Sequence, residues 1–330
     1  MKNIRIGSKI IGPGQPVFFI AEAGVNHNGS IKNAKKLVDI AKKSGADAVK
    51  FQSFNTEDII LKKAPKSRYH IETTGNDKKQ SWFQLLKTQE MSFKMHNELF
   101  KYCKKKKIIF LSTPYDIKSV DLLDKLGVHA YKIASTDNQN LPLLEYIARK
   151  NKPVILSTAM STMEEIELSY KVLKKKLKNK IIVLQCTGNY PSKIDDSNLN
   201  VMQTYKKKLK CIIGYSDHTE GYLNVIASTA AGASVIEKHF TINKNMHGPD
   251  HRMSMTPEEL NKTVKLIRDT SNSLGSFKKI ILGSEKENRK KLKKSIVSKK
   301  FIEKGKKLNK NLFEIKRPGT GILPKFLNNI

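Results

Sequence analysis

Eight short apolar runs, each separated from the next by a stretch of helical periodicity, constrain the architecture of this chain more than any other feature. The runs fall at 17–21, 47–53, 108–113, 130–135, 153–158, 181–186, 211–215 and 234–240. Helix-period segments lie between them at about 31–44, 92–107, 116–127, 142–150, 161–176, 197–208 and 220–232, and an eighth follows at 256–275. Strands that alternate with helices run parallel and are joined by right-handed crossovers. Eight such units predict a closed (β/α)8 barrel, and no G-x-G-x-x-G turn follows the first run to favour an open doubly wound sheet. Helix starts agree with the count: Ser30 precedes the first helix, residues 161–165 carry a capping-box-like start, and Pro257 sits in the first turn of the last helix.

Two segments fall outside the repeat. Residues 54–91, after the second strand, form a connection too long to be a mere link, and it holds the chain's only tryptophan, Trp82. It reads as an active-site loop or lid. Beyond residue 280 the periodicity ends in short strand-like pieces, so a barrel domain at 1–280 and a small module at 281–330 are expected, the latter too small to be stable alone.

A chain of 330 residues buries a large core without covalent help. Its three cysteines, Cys103, Cys186 and Cys211, form no C-x-x-C pair and predict neither a disulfide framework nor a zinc ribbon, so a reducing cytoplasm is the expected compartment. The first residues hold no long apolar stretch and no apolar run reaches membrane-spanning length, so neither export by a signal peptide nor a membrane partner is expected. The net charge of +32 raises the question of nucleic acid. Its lysines are spread along the chain, on the outer faces of helices, and no nucleic-acid-binding module is legible. Compositional bias accounts for the charge, and no nucleic-acid partner is expected.

In a barrel of this kind the reacting groups sit at the carboxyl ends of the strands. Lys50 and Lys132 fall within apolar strand runs, where an ammonium without a partner is costly, so an anion is expected to meet them. With hydroxyls at Thr113, Ser135, Ser157 and Ser216, they make a site suited to phosphate and carboxylate. His218 and His239 end adjacent strands and could share one divalent ion, or each could simply bond a backbone carbonyl. Glu22, Glu237 and Asp250 nearby favour the ion, and two nitrogens with oxygen ligands suit manganese better than a thiol-rich zinc site.

The strand-end motifs at 21–29 (Ala-Glu-Ala-Gly-Val-Asn-His-Asn-Gly), 49–53, 111–114, 131–135, 156–160, 214–219, 237–241 and 248–251 together resemble the bacterial N-acetylneuraminate (sialic acid) synthase family, which includes legionaminic acid synthases. The resemblance implies a manganese-dependent barrel followed by an antifreeze-protein-like (SAF) domain. Here that domain is expected to be partial, because the chain ends soon after Arg317. It implies that Lys50, Thr113, Lys132, Ser135, Ser157 and Ser216 hold phosphoenolpyruvate, and that His218 and His239 bind Mn2+ or another divalent metal. Glu22 and Asp250 are the implied catalytic pair. Gln52, Asp137, Tyr190 and Arg317 are the implied sugar contacts, Arg317 reaching in from the partner protomer of a homodimer. Asp137 stands where many relatives have glutamate.

The implied reaction is attack of the enol C3 on an open-chain aldehyde, addition of water at C2, and loss of phosphate. N-acetylmannosamine is the expected acceptor. A 2,4-diacetamido-2,4,6-trideoxymannose, leading to legionaminic acid, is the alternative, and the Lys-Phe-Gln-Ser of strand two argues against the pseudaminic acid branch. A rival of another class is a non-catalytic basic protein that binds nucleic acid or an anionic glycan.

Overall fold

A hairpin of β1 (Ile4–Ile6) and β2 (Lys9–Ile11) precedes the barrel in the computed structural model, which describes residues 2–76, 78 and 80–330. The apolar runs then become eight parallel strands: β3 (Phe18–Gly24), β4 (Ala48–Ser53), β5 (Ile109–Pro114), β6 (Tyr131–Ile133), β7 (Val154–Ser157), β8 (Ile181–Cys186), β9 (Ile212–Asp217) and β10 (Val235–His239). Their order in the sheet is β5-β4-β3-β10-β9-β8-β7-β6. The two end strands, β5 and β6, lie against each other, and the sheet closes as a (β/α)8 barrel. Helices Ile31–Lys43, Phe93–Lys106, Ile117–Leu126, Leu141–Arg149, Met163–Leu177, Val201–Leu209, Leu223–Ala230 and Pro257–Leu274 follow the strands in turn.

The pleat divides each strand between two cores, because successive side chains point to opposite faces. Phe19, Ala21, Val49, Phe51, Phe110 and Val183 pack outward against helix residues such as Leu37, Leu99, Leu123 and Leu173. Phe18, Ile20, Ala48, Leu111, Ile155, Ile182, Leu184, Ile212 and Val235 fill the barrel, joined by Ile4, Ile6 and Ile11 of the hairpin. The hairpin therefore plugs the amino-terminal end, a role that the alternating pattern of the barrel does not announce. Gly214 lies where a Cβ would come within 2.3 Å of the Val235 carbonyl oxygen, so β9 and β10 can approach as they do only with glycine there.

Local signals set the helix starts. Ser30 Oγ accepts a hydrogen bond from Asn33 N, and Thr162 forms a reciprocal capping box with Glu165. The long connection after β4 contains three short helices, Thr56–Ile59, Arg68–Thr74 and Trp82–Lys87.

The chain divides into two compact units, Met1–Leu274 and Gly275–Ile330. The second is built on an antiparallel pair, β11 (Ser295–Ser298) and β12 (Phe313–Lys316), with a helix at Lys286–Leu292. The three cysteines are free and buried. Among the described residues no helix is long and apolar enough to cross a membrane.

Candidate active site

The inward parity that fills the barrel with aliphatic side chains continues upward into polar ones. Ile20 is followed two residues on by Glu22, Ala48 by Lys50, Leu111 by Thr113, Ala130 by Lys132, Ile155 by Ser157, Gly214 by Ser216 and Val235 by Glu237. An apolar floor thus supports a buried polar layer at the carboxyl ends of the strands, where barrel enzymes carry their chemistry.

Within that layer the two lysines are not without counter-charge, contrary to the expectation from sequence. Lys50 Nζ lies 2.7 Å from Glu22 Oε2, 3.0 Å from Thr113 Oγ1 and 3.7 Å from Glu237 Oε2. Lys132 Nζ lies 2.6 Å from Ser157 Oγ and 3.6 Å from Glu237 Oε1, which also accepts from Ser216 Oγ at 3.0 Å. Glu22 faces Lys50 directly across the paired strands β3 and β4, and Glu237 comes from β10, which lies on the far side of β3 and is distant from both lysines in the chain, so a strand-by-strand reading leaves the lysines unpaired.

The two carboxyls divide unequally. Burial pushes Glu22 up to about 8, with Lys50 opposing and Glu237 adding to the rise. Glu237 feels the same burial, but Lys132, Lys50 and the Ser216 hydroxyl bring it below its ordinary value. Glu237 therefore carries the fixed negative charge and Glu22 is the exchangeable acid. Burial likewise works against the Lys50 ammonium, but Glu22 and Glu237 outweigh it and raise its pKa. Lys132 is lowered, by burial first and by Lys50 in addition.

Ser135 stands to one side of this cluster, its Oγ 3.3 Å from Cys186 Sγ and accepting from Ala159 N at 2.9 Å. The histidines adjoin each other, with ring centroids 5.7 Å apart. His218 Nδ1 lies 2.6 Å from the Thr187 carbonyl oxygen and so donates to it, which leaves Nε2 as the free ligating nitrogen. His239 Nδ1 is buried without a hydrogen-bond partner, 3.9 Å from Asp250 Oδ2. Burial lowers both imidazoles below their ordinary value, His239 further because His218 faces it. Both are then neutral at pH 7, the ligating form.

Among the described residues no three His, Cys, Asp or Glu side chains are grouped to hold an ion. The donor set fits a metal that takes two imidazole nitrogens and completes its shell with water or substrate oxygens. Asp250 is pushed up to about 6 by burial, against the pull of Lys50. Gly24, at φ +53°, is the close approach that lets these groups converge: a Cβ there would lie 3.3 Å from Asp250 Oδ2, 3.4 Å from His239 Cε1 and 3.5 Å from Glu22 Oε1.

Above them opens a cavity of about 580 Å3, lined on the barrel side by Gln52, Tyr115, Asp137, Asn140, Tyr190, His239 and Asp250. Lid residues Ile59, Ile60, Tyr69, His70, Trp82 and Leu86 line its other side. Asp137 accepts from Asn140 Nδ2 at 3.0 Å, its second oxygen is buried without a partner, and burial raises its pKa. The Tyr190 ring lies 4.1 Å from that of His218, and the Tyr69 ring lies 5.7 Å from Tyr190, tilted by 37°, while its hydroxyl donates to the Pro249 carbonyl.

Arg317 belongs to the second unit, where its Nε donates to the Leu292 carbonyl at 3.0 Å. Of the aromatics that line the cavity, Trp82 is marked by its place in the long connection, whereas Tyr69, His70 and Tyr115 carry no signal in the sequence, and Glu237 stands out there only as a neighbour of the histidines. Inward parity above an aliphatic residue was the available signal for Glu237. His27, which follows the end of β3, has an ordinary structural place: its Nδ1 accepts from Gly29 N.

Residues 37–279 match the model of the NeuB family. The chain is 46% identical over 305 residues to the N,N'-diacetyllegionaminic acid synthase of Campylobacter jejuni, covering 92% of this chain and 91% of that one. It is 40% identical over 328 residues to the enzyme of the same name from Legionella pneumophila, covering 98% and 92%. The crystal structure of a sialic acid synthetase from Leptospira borgpetersenii matches with a TM-score of 0.76 at 36% identity, over 87% of this chain and 95% of that one. Barrel, polar strand ends and relatives together define an enzyme of the nonulosonic acid synthase type. The chain belongs to the NeuB family.

Proposed function

We propose that this chain condenses phosphoenolpyruvate with an N-acetylated sugar aldehyde to give a nonulosonic acid and inorganic phosphate. The observation that carries the reading is the buried pair of lysines, Lys50 and Lys132, ringed by strand-end hydroxyls beneath a cavity of about 580 Å3, large enough for a sugar. The acceptor is 2,4-diacetamido-2,4,6-trideoxymannose, which two relatives named N,N'-diacetyllegionaminic acid synthase support at 46% and 40% identity. N-acetylmannosamine is the second reading, supported by the sialic acid synthetase from Leptospira.

In this reading Lys50, Lys132, Thr113, Ser135, Ser157 and Ser216 bind the phosphate and carboxylate of phosphoenolpyruvate and leave C3 facing the cavity. Gln52, Asp137 and Tyr190 hold the open-chain sugar above it. The electron pair of the enol C2–C3 bond forms the new bond to the aldehyde carbon, and Glu22, protonated near neutral pH, gives its proton to the aldehyde oxygen. Water then adds at C2 as Asp250, ionised at pH 7, accepts a proton from it. The C2–O bond to phosphorus breaks, phosphate leaves with the proton from Asp250, and the C2 hydroxyl proton returns to Glu22 as the ketone forms. His218 and His239 would hold a divalent ion such as Mn2+, which supplies Lewis acidity toward the carbonyl when bound. Arg317 of a second protomer would contact the N-acetyl group, with the 281–330 module acting as a partial SAF domain.

The test is a panel of acetamido sugars incubated with phosphoenolpyruvate and manganese, followed by phosphate release and product mass. Phosphate release with a product heavier than the sugar by one pyruvate unit is expected. Salt-sensitive binding to nucleic acid with no phosphate released would replace an enzyme with a basic binding protein.

A further inference from the structure

The lid side of the cavity carries a group that the proposed chemistry does not use. Trp82 lines the cavity, and its indole N–H is buried without a hydrogen-bond partner. An orphaned buried donor is destabilising, a cost that a ligand acceptor would remove. The surroundings narrow what that acceptor can be. Leu86, four residues on, shares the Trp82 face of the helix, and the Thr56–Ile59 helix packs against it, so the donor stands beside aliphatic surface. The charged neighbour on this wall is Asp58, already held by Lys118 at 2.8 Å and Asn55 at 2.8 Å, and its charge would repel a carboxylate. A sugar hydroxyl could accept from the indole but would leave the aliphatic surface bare and its own proton unmet. An N-acyl group satisfies both, with its carbonyl on the indole N–H and its methyl against Leu86 and Ile59.

We propose that Trp82, Leu86 and Ile59 form the subsite for a second N-acyl group on the acceptor, making Trp82 the residue that separates a diacylamino sugar from a monoacylated one. The inference rests on the acetamido-sugar reading given above and adds to it the place of the second amide. Two ring contacts hold the subsite in position. The His70 ring lies 5.1 Å from the Trp82 ring, and the adjacent Tyr69 joins the lid to Tyr190 and to the Pro249 carbonyl.

Trp82→Phe keeps the aromatic bulk and removes the donor, so it tests the hydrogen bond apart from the packing. With 2,4-diacetamido-2,4,6-trideoxymannose the variant should raise the sugar KM about tenfold with kcat within about twofold. The KM for N-acetylmannosamine and that for phosphoenolpyruvate should stay within about twofold of the parent. Because Trp82 is the only tryptophan in the chain, the fluorescence of the unmodified enzyme reports this position alone. Its emission should shift saturably with the diacetamido sugar in the presence of phosphoenolpyruvate and stay fixed with N-acetylmannosamine. Equal KM changes for both sugars, no change for either, or an emission response that does not distinguish them would overturn the subsite while leaving the synthase reading in place. Absence of phosphate release with every sugar in the unmodified enzyme would instead remove the synthase reading, and the subsite with it.

Discussion

At the scale of single residues, the buried charges decide what substitutions will do. Removing Lys50 leaves Glu22 and Glu237 facing one ammonium, and breaking a buried pair in this way costs about 3–5 kcal/mol, at the lower end here because Glu22 readily takes up a proton. Lys50→Met should therefore lose both stability and phosphoenolpyruvate affinity. Adding Glu22→Gln should restore the stability and leave the affinity low, as read by urea unfolding and calorimetric titration. A double variant as unstable as the single one would mean that Glu22 is not the group left uncompensated, and unchanged phosphoenolpyruvate affinity with lost stability would assign Lys50 a purely structural part. The sequence made both lysines visible as charges in apolar runs but hid their partners, because the Glu22–Lys50 contact depends on the register of β3 against β4, and Glu237 arrives only when the last strand, β10, pairs with the first, β3. His27 makes a separate prediction. Its pKa is lowered to about 4 by burial, with His96 and His251 adding to the effect, so the unfolded chain binds the proton more readily between pH 6.5 and 4. The stability that neutral His27 contributes is complete above pH 6.5 and is lost as pH falls toward 4, by roughly 2 kcal/mol on going from pH 6.5 to 5. His27→Gln should flatten that slope of unfolding free energy against pH by the same amount. An unchanged slope would assign the acid sensitivity to other groups.

At the scale of elements, the eight strands and eight helices of the barrel were legible because each is announced by local periodicity, and their order follows from parallel crossovers. The hairpin and the lid were less so. Residues 4–11 are short, and their apolar positions, Ile4, Ile6 and Ile11, acquire meaning only as a plug for the barrel interior. Ile6→Ala, at a fully buried position, should cost about 2–5 kcal/mol with activity per folded molecule retained, since the plug lies at the end of the barrel opposite the site. Loss of activity without loss of stability would contradict that division. The lid was recognised from the length of 54–91, but its three helices are too short to show a period. What fixes it is the tie from the Tyr69 hydroxyl to the Pro249 carbonyl, next to Asp250. Tyr69→Phe should raise the KM for the sugar several-fold while that for phosphoenolpyruvate stays level, because the lid covers the cavity and not the lysine layer. Steady-state kinetics with each substrate varied in turn would check it, and equal changes in both constants would mean that the lid also shapes the lower site.

At the scale of the whole molecule, a barrel of 274 residues carries the polar strand ends and cavity described above, and the second unit of 275–330 is organised around a single antiparallel pair. That unit was the least legible part of the sequence because its elements are short and its apolar residues form no repeating pattern. Phe301, Ile322 and Leu292 are exposed on it. Arg317 sits there with one guanidinium nitrogen on the Leu292 carbonyl, which anchors the side chain and leaves its remaining donors for an acceptor such as an amide carbonyl. If the proposed homodimer forms and Arg317 completes the sugar pocket of its partner, two inactive variants should repair each other. Arg317→Ala should raise the KM for the sugar with little effect on phosphoenolpyruvate. His239→Ala, which removes one of the two imidazoles from the site, should abolish turnover. A mixed dimer then pairs one intact barrel with one intact arginine, so co-expression of the two variants should give up to roughly a quarter of parental activity per chain where neither alone gives a measurable rate at low sugar. Purification through two different affinity tags isolates the mixed species, and light scattering reports its mass. A monomer in solution, or a mixed species no more active than its parts, would mean that each barrel completes its own pocket.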